Sequence, residues 1–320
     1  MKRILIASCS YDRDAIRSVV DKLKGRGYDC LIYEADQVTN GTVDFSLAIR
    51  NDSSVMLTYG DVSCRPEEFA AAWHRRPGQV GLESPDKGKQ LSLSYEIHSL
   101  NGGLWRLVDD SRWLNSPATM KAVDNKLQHL ALARQLGFTI PDTIVTNSWN
   151  TVKDTLPEDI IMKMPRGLLY INNEMRSAFT TALHNTMADL PTQTTPFPGI
   201  FQPRIGKTRE WRITVVGDQT LDAAIYSDES TGRLDWRMHQ FTPAVRFVAE
   251  SFPEEYRTRC VEFLRRLGLR YGAFDFIENE AGITFLECNL NGQYMWLEED
   301  LGLPISAAIV DELVSIAEKH

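Results

Sequence analysis

The stretch that decides how this chain reads is Thr284–Glu299, TFLECNLNGQYMWLEE. It begins as a buried strand would, with Thr284, Phe285 and Leu286 in succession. It then places a carboxylate, Glu287, and an amide, Asn289, two residues apart, ahead of an Asn291-Gly292 turn. Alternate residues of a strand share a face, so Glu287 and Asn289 point the same way. Upstream, GAFDFIENE (Gly272–Glu280) reads as a partner strand, joined as a hairpin through Asn279–Gly282. Pairing through that turn sets Asp275 opposite Glu287, with Asn289 one step further along the face. Two carboxylates and an amide oxygen on one spot suit a hard cation, since Mg²⁺ takes oxygen ligands and often shares them with nucleotide phosphates. A solvated strand face would carry the same residues with no metal. The apolar neighbours Ala273, Phe274, Phe276, Phe285 and Leu286 mark both strands as mostly buried, which weighs against that alternative.

Three cations add to the picture. Lys126 falls in a helical pattern, and Lys163 lies in an apolar strand beside Ile161, Met162 and Met164. A lysine in such a strand needs an anion or a route to water; phosphate supplies the first and an edge position the second. Arg212 opens the strand EWRITVVG, and its guanidinium matches the oxygens of a phosphate or carboxylate. Arg209 precedes it at odd spacing.

The rest of the chain is ordinary globular material. It has 320 residues, 43% hydrophobic and 24% charged, with a net charge of -8, so no broad cationic surface points to nucleic acid. Five scattered cysteines without a CxxC pair fit a reducing cytosol and argue against a disulfide frame or structural zinc. No apolar run suggests a signal peptide or membrane span, so the expected location is cytoplasmic.

A strand at Arg3–Ala7, a helix with Ile16, Val19, Val20 and Leu23 on one face, and a strand at CLIYEAD form a β-α-β unit, which implies a parallel sheet. SVMLTYG and AAWHRRPG read as further strands, and a short one falls in SRWLNSP. SPATMKAVDNKLQHLALARQLGF reads as one helix with Leu127, Leu130, Ala131 and Leu136 as its apolar positions. TTALHNTMADL suggests another helix, and TQTTPFPG a hinge. Hairpins through Gly217-Asp218 and Asn279–Gly282 and a closing helix from Pro304 complete the chain.

Taken in order, helix Lys126, strand Lys163, the segment FQPRI, strand Arg212, Asp275 and Glu287-x-Asn289 resemble the ATP-grasp superfamily from about Ser116 to His320. WHRRPG (Trp73–Gly78), LDWR and LECNLNGQYMWLEEDLGLPISAAI resemble, over nearly the full chain, the ligases of that superfamily that build microviridins and related graspetides. Leu290 stands where those ligases often have Pro. The resemblance implies an α/β (α+β) chain with the ATP-grasp fold: an N-terminal pre-ATP-grasp α/β lobe at 1–115, a central lobe at 116–200 and a C-terminal lobe at 201–320. It implies ATP and two Mg²⁺ ions at Asp275, Glu287 and Asn289, and phosphate contacts from Lys126, Lys163 and Arg212. The adenine would lie near Met162, Lys163 and FQPRI, whose Gln202, Arg204 and Ile205 offer backbone groups.

The reaction implied is carboxylate activation as an acyl phosphate, then displacement of phosphate by a nucleophile, with Arg212 and Lys163 catalytic. Positioning and charge neutralisation dominate such chemistry, so the scattered His74, His129, His184 and His239 default to core or surface roles. The partner would be a ribosomal precursor peptide whose Asp or Glu side chains are joined to Ser, Thr or Lys. Arg237, Arg75 and Arg76 are candidates to hold its acidic core, with a lobe-to-lobe salt bridge as the alternative for the Arg75-Arg76 pair. A leader segment would dock in Gly167–Leu190. Family members are often homodimers, so a homodimer is expected. Two other readings stay open: a ligase acting on a small molecule or a protein terminus, and a nucleotide-binding scaffold without turnover.

Overall fold

The computed structural model describes residues 1–77, 86–157, 159–164, 168–171, 174–177, 181–183, 198–227 and 245–320. The β-α-β unit forms as the sequence implies: β1 (Arg3–Ser8), α1 (Arg13–Gly25) and β2 (Asp29–Glu34), with β1 and β2 parallel. Ile16, Val19, Val20 and Leu23 turn α1's apolar stripe into the core. A short α2 (Ala35–Thr39) leads to a separate antiparallel sheet of β3 (Phe45–Ile49), β4 (Val55–Tyr59) and β5 (Val62–Cys64), so SVMLTYG is a strand outside the parallel sheet. β6 (Phe69–His74) returns beside β1; after α3 (Lys87–Trp105), β7 (Trp113–Leu114) completes a parallel sheet ordered β2-β1-β6-β7.

The segment from Ser116 is two helices, α4 (Pro117–Val123) and α5 (Lys126–Gln135), not one. The Asn125 side chain caps α5 by accepting from the amides of Leu127 and Gln128 at 3.0 and 3.2 Å. The break shifts the helical phase: Leu130 is buried as expected, but Leu127 and Ala131 are exposed, and His129 and Ala133 are buried in their place. β8 (Ile144–Thr146), α6 (Trp149–Thr155), β9 (Ile160–Lys163), β10 (Leu168–Ile171), β11 (Glu174–Ser177), β12 (Thr181–Leu183) and β13 (Gly199–Pro203) follow. Thr181–Leu183, expected to be helical, pairs as a strand with β9. The remainder of that expected helix and most of the hinge TQTTPFPG lie outside the described residues.

The C-terminal sheet is antiparallel, ordered β16-β15-β14-β17-β18. Its strands are β14 (Arg209–Val216), β15 (Gln219–Ser227), β16 (Val245–Ala249), β17 (Tyr271–Asn279) and β18 (Gly282–Asn289), with α7 (Glu254–Arg266) between β16 and β17. Gly217, at φ +59°, makes the tight β14–β15 turn. α8 (Met295–Leu301) and α9 (Ile305–Glu318) close the chain.

The cores explain how these parts meet. Met120, Leu130, Ala133 and Phe138 pack with Trp211, Phe263, Phe274 and Phe285, so α4 and α5 dock on the C-terminal sheet. α9 buries Ile309, Leu313 and Ile316 against Ile4, Ile6 and Trp73 of the N-terminal sheet and also meets Leu221 and Tyr271. Each large aliphatic side chain so buried is worth roughly 1.5–3 kcal/mol, enough to fix the N- and C-terminal lobes on one another. We propose a three-lobe division at 115 and 200; both of these cores cross its second boundary, and the core around α9 crosses the first as well. No helix among the described residues is long and apolar enough to cross a membrane.

Candidate active site

Three neighbouring strands carry the expected residues in one row. β14 pairs with β17 so that Arg212 faces Asp275, and β17 pairs with β18 so that Asp275 faces Glu287. The second pairing needs a feature that sequence counting misses. The hairpin turn is tighter than Asn279–Gly282 suggests: Asn279 pairs with Gly282 and Phe276 with Phe285, a register that would put Asp275 opposite Leu286. An irregularity between Asp275 and Phe276 adds the missing step and brings Glu287 across. The bulge aims both carboxylates at one point.

That point is marked by Asn289. Its Nδ2 donates to Asp275 Oδ2 at 3.1 Å and to Glu287 Oε1 at 3.3 Å, so both carboxylates converge where a cation would sit. Rotating the amide by half a turn puts its oxygen there, an alternative of equal shape. Among the described residues no group of three or more His, Cys, Asp or Glu side chains could hold a metal. The donor set here is two carboxylates completed by an amide, all oxygen, which fits Mg²⁺.

The carboxylates are balanced by cations. Arg212 Nη1 donates to Asp275 Oδ1 and Oδ2 at 2.8 and 3.0 Å, and its Nη2 donates to the Gln293 carbonyl at 3.2 Å. Burial works against the Arg212 guanidinium, but the charge and hydrogen bonds of Asp275 hold its pKa above the ordinary value. Lys126 opens α5, which lies on β18, and its Nζ comes within 3.3 Å of Glu287 Oε2. Arg209, on the opposite face of β14, pairs with Glu278 and Glu250 and stays out of the site. Cys288 also points away; burial raises its thiol well above the ordinary range, as a core residue requires. Leu290 is buried, and its carbonyl accepts from Asn115 Nδ2 at 3.4 Å.

The nucleotide-side expectations lie on the central sheet. Lys163 and Met162 end β9 and pair with Ile200 and Phe201 of β13. Gln202 is buried, donating to Thr143 at 2.9 Å, while the Arg204 amide bonds the Asp159 carbonyl at 2.9 Å; Ile205 follows directly and is half-buried. Met162, Lys163 and Gln202 share one sheet, and Arg204 and Ile205 follow its strand β13. Arg237 and the side chains of the expected leader surface, Gly167–Leu190, lie outside the described residues, as do His184 and His239.

A cavity of about 640 Å³ opens beside the row, with His74, Arg76, Lys121, Asp124, Arg212 and Asn289 in its wall. Its cations come from three distant parts of the chain, so Lys121 and Asp124 gave no sequence signal. Arg76 reaches this wall; Arg75 does not. Arg75 is 1% exposed and ion-paired with Asp12 at 2.8 Å, so it sits behind the site and not in position to touch a peptide.

Gly292 shows how tight this corner is. A Cβ there would sit 2.5 Å from Ala273 Cβ and 2.9 Å from Arg212 Nη2. Gly292→Ala is expected to lower stability by about 2 kcal/mol through overpacking, and to lower turnover further by displacing Arg212. Unfolding midpoints and turnover measured on the same preparation check both.

His74 supplies a pH dependence. Half-buried and edge-on to Trp105 and Trp113, it has its pKa lowered by burial from 6.5 to about 4. The unfolded chain therefore takes up the proton first. The stability from neutral His74 is complete above about pH 6.5 and is lost as pH falls toward 4. The loss is at most about 3 kcal/mol. Unfolding midpoints at pH 7 and pH 5 should differ less in His74→Gln than in the unmodified protein.

Comparison with solved structures places this geometry. The chain matches the RiPP-associated ATP-grasp ligase of Chryseobacterium gregarium, solved with ADP and a leader and core peptide, at 25% identity and TM-score 0.85 over 98% of this chain and 97% of that one. It matches the macrocyclase MdnC of Microcystis aeruginosa, solved with its precursor peptide MdnA, at 27% identity and TM-score 0.83 over 98% and 99%. By fold and by length, this chain is similar to the RiPP-associated ATP-grasp ligases. Macrocyclase MdnB of the same organism matches at 26% identity and TM-score 0.78 over 98% and 99%. No family profile and no curated protein sequence matches the chain. Within this ATP-grasp fold, the Arg212–Asp275–Glu287 row stands where the C-terminal sheet faces the cavity.

Proposed function

We propose that the chain is an ATP-dependent ligase that activates Asp or Glu side chains of a ribosomal precursor peptide and closes them onto Ser, Thr or Lys side chains of the same peptide. The observation that carries this is the convergence of Asp275, Glu287 and Asn289 beside Arg212, at the edge of a cavity whose wall adds Arg76 and Lys121. Oxygen donors at one end and cations at the other suit a triphosphate meeting an acidic side chain.

In this reading Asp275, Glu287 and Asn289 would hold magnesium, as two ions. Bound there, magnesium supplies neutralisation of the charge on the phosphoryl oxygens. Lys126, Lys163 and Arg212 bind the remaining phosphate oxygens, and Met162 with the Gln202–Ile205 backbone borders the adenine. Arg76 and Lys121 orient the incoming carboxylate. A carboxylate oxygen attacks the γ-phosphorus, the bond to the β-phosphate oxygen breaks and ADP leaves. A hydroxyl or amine of the peptide then attacks the acyl carbon and expels phosphate, losing its proton. The peptide becomes lighter by one water per bond. Positioning and charge account for most of the acceleration, so no nucleophile of the protein is required.

The leader surface at Gly167–Leu190, the core contact from Arg237, a homodimer and a cytoplasmic location belong to the same proposal. The test is to incubate the protein with ATP, Mg²⁺ and short peptides encoded beside its gene, and to read their mass. Loss of water in whole multiples, with matching ADP, is expected. ADP release with free amino acids and none with any peptide would favour the small-molecule ligase instead, and no nucleotide turnover under any condition would favour a scaffold.

A further inference from the structure

The strand that ends at Asn289 leads straight into Gly292 and Gln293, and both carbonyls are engaged. The Gln293 carbonyl accepts from Arg212 Nη2 at 3.2 Å. The Gly292 carbonyl accepts from Tyr271 at 2.8 Å and from Arg75 Nη1 at 3.1 Å. Arg75 belongs to the N-terminal lobe, directly after β6, 217 residues away. Its Nε is 2.8 Å from Asp12 Oδ2, and its guanidinium lies 5.2 Å from the ring centroid of Tyr294. Tyr294 in turn donates to the Ala15 carbonyl of α1 at 2.7 Å. The two lobes are therefore tied at the turn that carries Gln293.

A buried arginine–carboxylate pair is a poor way to stabilise a protein, because desolvation offsets most of the attraction. It is a good way to hold a group in place, since the planar guanidinium fixes several acceptors at once. Here the acceptor held is a backbone carbonyl one residue from the one that steers Arg212. Arg212 also differs from the other expected phosphate ligands: the cavity wall includes it but neither Lys126 nor Lys163. It stands where the terminal phosphate and the incoming carboxylate would meet.

We infer that Arg75 is a positioning residue for this reaction: through Gly292 and Gln293 it sets the direction of Arg212 toward the terminal phosphate, making the N-terminal lobe part of the catalytic apparatus. The inference rests on the ligase reading above. It assigns Arg75 no contact with peptide or nucleotide, and it assigns the Asp12–Arg75 pair the task of holding the loop in register.

The test uses the full chain and two nucleotides that differ at the terminal phosphate. Calorimetric titration with Mg·AMPPNP and with Mg·ADP gives the preference for the triphosphate. Arg75→Met is expected to reduce that preference about tenfold, the size of one charge-assisted hydrogen bond, with affinity for Mg·ADP changed less than about twofold. Arg75→Lys keeps the charge opposite Asp12 but not the fork, and is expected to lose about threefold. It carries the test if the methionine variant does not fold. In an Arg212→Lys background the Arg75 effect should vanish, because the two act in series. An unchanged preference, an equal weakening of both nucleotides alongside a lowered melting temperature, or an undiminished effect in the Arg212→Lys background would each overturn the inference. If the unmodified protein binds neither nucleotide, the ligase reading itself fails, which is a distinct result.

Discussion

Glu287→Gln is expected to lower ADP release in the presence of ATP, Mg²⁺ and an accepted peptide by at least about a thousandfold, near 4 kcal/mol of transition-state stabilisation. The side chain keeps its size and its place on β18, opposite Asp275. One anionic oxygen is lost from the point marked by Asn289 Nδ2, and with it part of the attraction for a divalent cation. Lys126 also loses its partner at 3.3 Å and turns from a bridging cation into an unbalanced one. Because that pair is partly exposed, the protein's stability should change by less than about 1 kcal/mol. Asp275→Asn should inactivate to a similar degree. Near-normal turnover in either variant would remove these carboxylates from the mechanism.

Arg212→Met should show the opposite balance, losing both turnover and stability. Arg212 is 7% exposed and makes the bidentate contact to Asp275, so removing it leaves a carboxylate in a poorly solvated site. Breaking one side of a buried pair costs about 3 kcal/mol or more. The double variant Arg212→Met with Asp275→Asn should recover much of that stability, because no unpaired charge remains, and should recover no turnover. Parallel unfolding and rate measurements separate the two effects. A double variant as unstable as Arg212→Met alone would mean that packing at this position, and not charge, sets the cost.

The row of site residues could be read from the sequence because strand alternation is a local rule. Glu287 and Asn289 on one face, and Arg209 and Arg212 on opposite faces, follow from spacing alone. Spacing alone implies the Asp275–Glu287 pairing through a looser turn than the real one; the tight turn and the bulge compensate each other, and neither has a composition signal here. The break between α4 and α5 was visible only as Asp124-Asn125 inside an otherwise helical run, and periodicity averaged over it. Thr181–Leu183 is a strand because β9 offers it an edge, which no local pattern records. Least legible were the contacts joining distant segments. Asp12 with Arg75, Arg75 with Gly292, and Asn115 with Tyr271 and Leu290 all depend on how the lobes close. The WHRRPG arginines are alike in sequence, and burial separates them: Arg75 is buried behind the site, and Arg76 faces the cavity.

The central claim is that Asp275, Glu287 and Asn289 together hold the cation that carries the nucleotide's phosphates. Crystals grown with Mn²⁺ and AMPPNP, measured for anomalous scattering at the manganese edge, test it most directly. A manganese peak within about 2.5 Å of oxygens from all three side chains and of the terminal phosphates is the result expected. Manganese and triphosphate located elsewhere, with Asn289 still donating to both carboxylates, would contradict it.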